Sequence, residues 1–278
     1  MKEPGPTSSL PVPAKAGGGE AIELSIMAPA HNERDNIEPL VAEIGSALLP
    51  LGIAFEVVIV DDGSTDDTLT QIQAAMTGRP WLRCLSLSHT PAGKGNGQSA
   101  AFAAGIRACR GRLIATLDAD RQNDPADYPA MLALLADTGA DMVQGDRSHA
   151  RKDNAVRRAS SAVGRLFRRL ILADVVRDTG CSLRIVKREF AAKLPLEFRG
   201  IHRFIPVMIK QLGGMVVQMQ VNHRPRAAGQ TKYGFGITQR AIPGLIDCFA
   251  VRWMANRRRS IAAAEVAPLS PVGQGAAR

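Results

Sequence analysis

Aromatic residues are scarce in this chain: Phe, Tyr and Trp make up 4% of its 278 residues. Single-stranded nucleic acid is usually gripped by stacking platforms, so the scarcity argues against that partner. Cysteine is thin as well. The four thiols, Cys84, Cys109, Cys181 and Cys248, are far apart and form no CxxC pair. That excludes zinc-ligand spacing and reads as buried, reduced thiols. No uninterrupted apolar run reaches the roughly 18 residues that a spanning helix needs. The first 21 residues are rich in Pro, Gly and Ser and lack the apolar core of a signal peptide.

Positive charge, by contrast, is abundant. Lys and Arg number 35 against 26 Asp and Glu, a net charge of +9, and the pI is about 9.9. Such a balance points to a polyanionic partner: nucleic acid, an anionic membrane surface or phosphorylated ligands. The hydrophobic content of 45% is ordinary for a globular protein and the length is ample for a core. The composition predicts a disordered lead over 1–21, a folded core over about 22–258 that closes with an amphipathic segment over 241–258, and a loose tail over 259–278.

From residue 24 the pattern alternates. "LSIMAPA", "FEVVIVDD", "LRCLSLS", "RLIATLD" and "DMVQGD" have the length of buried strands. Helical stretches over 35–49, 65–76, 96–109 and 126–137 separate them. Strand then helix, repeated, predicts an α/β fold with a mainly parallel central sheet flanked by helices. Later come a strand "CSLRIVK", a helix near 201–212, a strand "GMVVQMQVNH", a basic loop "RPRAAGQTKYG" and a helix over about 235–256. In parallel sheets ligands bind beyond the carboxyl ends of the strands. "HNERDN", "DDGSTDDT" and "DADRQND" each follow a strand end, so the acidic residues converge on one edge.

In "ATLDADRQNDP" two aspartates one residue apart, Asp118 and Asp120, end an apolar run. Adjacent carboxylates repel and are costly to bury unpaired. A divalent cation resolves both problems, and an oxygen-only set suits Mg²⁺ or Mn²⁺. A lone DxD is also a common solvated turn; the second acidic strand end, "VIVDDGSTDDT", shifts the balance. Behind this acidic edge, residues 147–188 hold twelve Lys or Arg against three Asp.

"APAHNERDNI", "VIVDDGSTDDT", "GQSAAFAAGIRACRG", "LDADRQNDP", "DTGCSLR" and "AGQTKYG" occur in that order over residues 22 to 240. This series resembles the family 2 glycosyltransferases of the GT-A fold. It looks most like their polyprenyl-phosphate glycosyltransferases, the group of dolichol-phosphate mannose synthase and of bacterial enzymes that load sugars onto undecaprenyl phosphate.

The resemblance implies a metal-dependent, inverting transfer of sugar from a nucleotide-diphosphate sugar to a polyprenyl phosphate. Pro29, Asn32, Glu33 and Gln98 would line the nucleotide-sugar pocket, with Asp61 and Asp62 on base and ribose. Asp118, Asp120 and Gln122 would hold Mg²⁺ or Mn²⁺ on the donor diphosphate. Arg147, Arg151, Arg157 and Arg158 would face the acceptor phosphate. Arg226 and Lys232 would close over the donor pyrophosphate. Asp120, Asp153 and Arg147 are the catalytic candidates. Two residues depart from the family's pattern: His31, where Tyr is common, and Arg121, where Leu or Gly is commoner. A lone His at such a place reads first as a pocket wall. GDP-mannose and UDP-sugars fit equally well as donors, and dolichol and undecaprenol as acceptors.

Chemistry supports this reading on its own terms. A lipid monophosphate has a second pKa near 6 and is largely a dianion at pH 7, so it needs cationic positioning more than a strong base. A hydroxyl acceptor, in polysaccharide or glycolipid synthesis, is the alternative, and would need a carboxylate base. A nucleic-acid module leaves the acidic strand ends unexplained, since they repel phosphates. A nucleotidyltransferase would carry a GxGTR-like loop where "APAHNER" stands.

Segment 156–172, "VRRASSAVGRLFRRLIL", completes the picture. At 100° per residue Arg157, Arg158, Arg165, Arg168 and Arg169 fall within about 120°. Val156, Ala159, Val163, Leu166, Phe167, Leu170 and Ile171 lie opposite, with Leu172 the exception. That is the pattern of an interfacial helix, and Leu245, Ile246, Phe249 and Trp253 add a second apolar stripe. The expectation is a cytoplasmic protein held peripherally on an anionic membrane face. The competing reading packs the apolar side of 156–172 on the sheet.

Overall fold

The computed structural model describes residues 21–91, 93–149, 155–225 and 237–259, without the side chains of 155–162 and 237–242. The lead and the tail expected at the two ends lie outside the described residues, except for their innermost positions. The elements run β1 (Leu24–Ala30), α1 (Arg34–Leu48), β2 (Phe55–Asp61), α2 (Thr68–Met76), β3 (Leu82–Ser86), α3 (Gln98–Ala108), β4 (Leu113–Thr116) and α4 (Tyr128–Thr138). They continue as β5 (Met142–Asp146), α5 (Ala155–Leu172), β6 (Arg184–Lys187), α6 (Arg188–Ala191), α7 (Ile205–Gln211), β7 (Val216–Gln220) and α8 (Ile237–Arg257). The element ends expected from sequence shift by four residues or fewer.

The strands form one seven-stranded sheet in the order β3-β2-β1-β4-β6-β5-β7. Among the described strands, only β6 is antiparallel to its neighbours. The near-continuous apolar strands follow from cover on both faces. Successive side chains alternate. Leu24, Ile26 and Ala28 of β1, with Val57 and Ile59 of β2, pack against Ile37, Leu40 and Ile44 of α1 and Met131 of α4. Met27, Val58 and Val60 join Phe102 and Ile106 of α3 on the other face.

A buried carboxylate ties the far end of the sheet. Glu56 accepts from Ser25 Oγ (2.6 Å), Arg110 N (2.6 Å) and Arg83 Nη1 (2.5 Å). Gly111 N donates to the same Ser25 Oγ at 2.7 Å. A Cβ on Gly111 would lie 2.6 Å from Ser25 N, so β1 and β4 meet here only because no side chain intervenes.

Gly111→Ala should therefore destabilise the fold by about 1–3 kcal/mol through overpacking against backbone. Gly244→Ala, where a Cβ meets nothing within 4 Å in the middle of α8, should be neutral or slightly stabilising. Urea titrations of both variants check this, and equal midpoints would refute it.

Candidate active site

The carboxyl ends of β1, β2, β4 and β5 share one edge of the sheet, and antiparallel β6 brings its amino end to the same edge. β1 and β4 stay paired only as far as Met27 and Thr116, and their last bond runs from Leu117 N to Met27 O at 3.3 Å. Two residues on, β1 carries Pro29, which has no N–H to offer a neighbour. The two strands part there.

Beyond Pro29 the chain turns through Asn32, at a left-handed φ of 53° that asparagine tolerates well. Its amide is a clip. Oδ1 accepts from Thr65 N (2.8 Å) and Nδ2 donates to Thr65 Oγ1 (3.2 Å), while Asn32 N donates to Ser64 Oγ (3.0 Å). The turns after β1 and β2 thus form one unit. Buried Glu33 donates its N–H to Thr68 Oγ1 (2.8 Å) and accepts from Asn36 Nδ2 (2.7 Å). His31 Nδ1 lies 2.8 Å from the Asp62 carbonyl oxygen. A carbonyl only accepts, so Nδ1 is the donor of this bond.

Asp61 and Asp62 are both buried, but their commitments differ. Asp62 accepts from Asn96 N and Gly97 N, both at 2.7 Å, pinning the loop ahead of α3. Gly95 there has a φ of 60°, and a Cβ on it would lie 2.5 Å from the Asp62 carbonyl oxygen. Asp61 takes one longer bond, from Ser64 N at 3.3 Å, and is the freer of the two for a ligand.

Gln98, the first residue of α3, donates Nε2 to Asp118 Oδ1 at 2.6 Å. Buried Asp120 accepts from Gln122 N at 3.2 Å. Both of these partners are neutral. Among the described residues, no group of three or more His, Cys, Asp and Glu encloses a metal position. Two oxygen-donor carboxylates without a third suit a hard divalent cation that completes its shell with phosphate oxygens and water. The residues therefore fit Mg²⁺ or Mn²⁺ held together with a diphosphate.

At the end of β5, Arg147 forms a buried two-pronged ion pair with Asp178: Nε to Oδ2 at 2.8 Å and Nη2 to Oδ1 at 3.3 Å. Gln144 braces the same turn through the carbonyls of Asp178 (3.2 Å) and Cys181 (2.9 Å). Burial alone would lower the Arg147 pKa; the bonds to Asp178 and the negative potential of Asp118 outweigh it and raise it. The guanidinium expected to face an acceptor phosphate is thus largely committed, leaving Nη1 outside the pair. Arg184 of β6 is 2% exposed. Burial pulls its pKa down to about 10, partly offset by Asp118 and Asp178, and it stays charged at neutral pH. Its guanidinium donates to the carbonyls of Cys181 and His202.

His202 lies beneath α3. Its Nδ1 sits 2.7 Å from Ser99 Oγ and its ring stacks on Phe102 with centroids 6.0 Å apart. Burial, then Arg203 and Arg184, hold its pKa down at about 3.

Arg151, Asp153, Arg226 and Lys232 lie outside the described residues, and Arg157 and Arg158 lie on α5 without described side chains. Asp178, Arg184, Ser99 and His202 had no role in the sequence reading. The motif "DTGCSLR" holds two of them, but the pairing of Arg147 with Asp178 needs the sheet to bring them together.

The model of glycosyl transferase family 2 matches residues 25–194. The chain belongs to glycosyltransferase family 2. A family 2 relative, dodecaprenyl-phosphate galacturonate synthase of Rhizobium johnstonii, is 34% identical over 240 residues, covering 85% of this chain and 70% of that protein. Undecaprenyl-phosphate 4-deoxy-4-formamido-L-arabinose transferase of Pseudomonas savastanoi is 33% identical, covering 76% of this chain and 60% of its own length. The chain thus spans about 60–70% of these two curated relatives. Among solved structures, glucosyl-3-phosphoglycerate synthase of Mycobacterium tuberculosis with Mn²⁺, UDP and glucosyl-3-phosphoglycerate gives a TM-score of 0.60. It is 20% identical and covers 82% of this chain and 80% of that one. The fold is that of the GT-A glycosyltransferases.

The unfolded chain takes up a proton on His202 near pH 6.5, whereas the folded chain resists it until about pH 3. Stability contributed by this neutral histidine is full above pH 6.5 and falls as the pH drops through that window. Between pH 7 and 4 the loss should reach about 3 kcal/mol. His202→Gln, which keeps a partner for Ser99, should flatten the acid limb of the stability profile by that amount. Parallel profiles for the two proteins would refute the assignment.

Proposed function

We propose that this glycosyltransferase moves a sugar from a nucleoside diphosphate donor onto a polyprenyl phosphate, with Mg²⁺ or Mn²⁺ at Asp118 and Asp120. The observation that carries the reading is a pair of aspartates one residue apart just beyond the end of β4, near buried arginines, in a chain whose relatives act on dodecaprenyl and undecaprenyl phosphate. An acceptor phosphate oxygen attacks the sugar C1. The bond from C1 to the diphosphate oxygen breaks, its electron pair leaves with the nucleoside diphosphate, and the anomeric configuration inverts. The bound cation would neutralise charge on the departing diphosphate. Asp61 takes the ribose or base, and Gln98 orients Asp118. Arg147, fixed by Asp178, and buried Arg184 supply positive potential beneath the reacting groups. The acceptor arrives as a dianion, so no side chain has to remove a proton from it.

The acceptor is a lipid, and the surface fits one. No helix among the described residues is long and apolar enough to cross a membrane. α5 turns Val163, Leu166, Phe167 and Leu170 outward, the last 73% exposed. Leu172, the apolar residue on its arginine side, is buried, and Arg168 on that side pairs with buried Asp174 at 3.3 Å. Among the described side chains of the apolar side, Ile171 packs against the core, whereas Val163, Leu166, Phe167 and Leu170 are exposed. On α8, Ile246, Phe249 and Trp253 are exposed opposite buried Cys248 and Val251. These stripes, with Arg165, Arg169, Arg252 and Arg257 among them, fit peripheral attachment to an anionic membrane.

Incubation with polyprenyl phosphate, Mn²⁺ and radiolabelled nucleotide sugars should drive label into the organic phase. Label on a water-soluble acceptor alone would favour the hydroxyl-acceptor alternative. Asp120→Asn should cut the rate about a hundredfold or more without lowering the melting temperature, and undiminished turnover in EDTA would remove the metal from the reading. The protein should also co-sediment with anionic liposomes at low salt and less so at high salt. Phe167→Glu with Leu170→Glu should weaken that binding, and a wild type that stays in the supernatant would refute membrane attachment.

A further inference from the structure

Arg121 sits between Asp120 and Gln122 with a left-handed φ of 59°. A non-glycine residue there costs about 1–2 kcal/mol, so its surroundings must hold it. Its guanidinium reaches across to α1, where Nε (3.2 Å) and Nη2 (2.5 Å) both donate to Glu43 Oε1. The other oxygen of that carboxylate accepts from Arg224 Nη1 at 3.0 Å. Arg224 in turn pairs through Nη2 with Asp124 at 2.6 Å, and its backbone N–H donates to the Gln122 carbonyl at 2.9 Å. The result is a closed ring: Glu43 to Arg121, along the chain to Gln122, across to Arg224 and back to Glu43. A second tie runs alongside, from Asn222 N to Asp127 Oδ2 at 2.8 Å.

A single exposed ion pair would carry little weight. Here one carboxylate, 24% exposed, takes two arginines, and both arginines are joined through backbone to the same turn. Charge-assisted bonds of this kind fix orientation as well as adding energy. Two of the partners, Arg121 and Gln122, directly follow Asp120 in the chain.

We propose that Glu43 is a positioning residue for the cation–diphosphate site. Through Arg121 and Arg224 it holds the Asp120–Gln122 backbone so that Asp118 and Asp120 stay aimed at one ion. It rests on the reading of those two aspartates as the metal carboxylates, and it adds a residue on α1 that touches neither substrate nor metal. Outer groups that orient metal ligands typically change affinity by 10–100-fold when removed.

The test is Mn²⁺ binding without turnover, followed by electron paramagnetic resonance in the presence of UDP and, separately, GDP. Glu43→Gln keeps the size and removes the charge; it should weaken Mn²⁺ binding about tenfold. It should raise the donor KM and leave the acceptor KM unchanged. Glu43→Asp should recover part of the loss. Glu38→Gln, which breaks the exposed pair with Arg79, serves as a control and should change neither binding nor KM. Wild-type Mn²⁺ affinity in Glu43→Gln, with loss of binding in Asp120→Asn, would overturn the role of Glu43 alone. No Mn²⁺ binding by the wild type with either nucleotide would overturn the metal reading and this inference together.

Discussion

The Arg147–Asp178 ion pair is the contact on which the site's organisation depends. It joins the end of β5 to the turn before β6 and so closes the base of a long excursion that carries α5. Both partners are buried. Removing one would leave an uncompensated buried charge, typically a cost of 3–5 kcal/mol. The pair also requires β6 to run antiparallel, because only then does its amino end meet the carboxyl end of β5. The one reversed strand in the sheet is thus the one that brings Asp178, Cys181 and Arg184 to the acidic edge.

That edge concentrates carboxylates. Asp62 is held by two backbone amides, Asp118 by the Gln98 amide and Asp120 by the amide of Gln122. Neutral donors orient an anion but leave its charge in place. The nearby arginine that could have neutralised Asp118 spends its fork on Asp178 instead. Arg184 stays charged one layer below, where it contributes potential through a low-dielectric medium. At Asp118, whose described hydrogen-bond partner is the Gln98 amide, the carboxylate keeps the charge that the proposed cation would need.

The apolar runs of β1, β2, β4 and β5 were legible in the sequence because strands covered on both faces need continuous hydrophobicity. The acidic ends were legible for the same reason, as abrupt breaks in those runs. The direction of β6 was not, since "CSLRIVK" has the same composition whichever way it runs. Nor was the Asp178 partnership, which joins residues distant in sequence. The periodicity of α5 showed two faces and could not say which one packs inward; Leu172, the residue that broke the pattern, turns out to be the buried anchor. Glu43 was invisible for a plainer reason. A glutamate on the polar side of α1 looks like any other helix-surface charge until the turn carrying Arg121 is folded against it.

Chain connectivity then links the two halves of the proposed reaction. α5 lies in the chain between Arg147 and Asp178, so the two ends of the segment that carries the outward apolar face meet at the acidic edge. An 18-residue helix is about 27 Å long, comparable to the hydrophobic thickness of a bilayer, but it carries arginines along one side and so suits the interface plane better than the interior. A donor diphosphate is water-borne and a polyprenyl phosphate has its phosphate at headgroup depth. On the proposed reading, a site between the aspartates after β4 and the base of the segment carrying α5 would be open to both without either substrate leaving its own phase. The Arg147–Asp178 pair would then fix more than a local turn: it sets the distance between the plane where the lipid phosphate lies and the carboxylates that hold the donor.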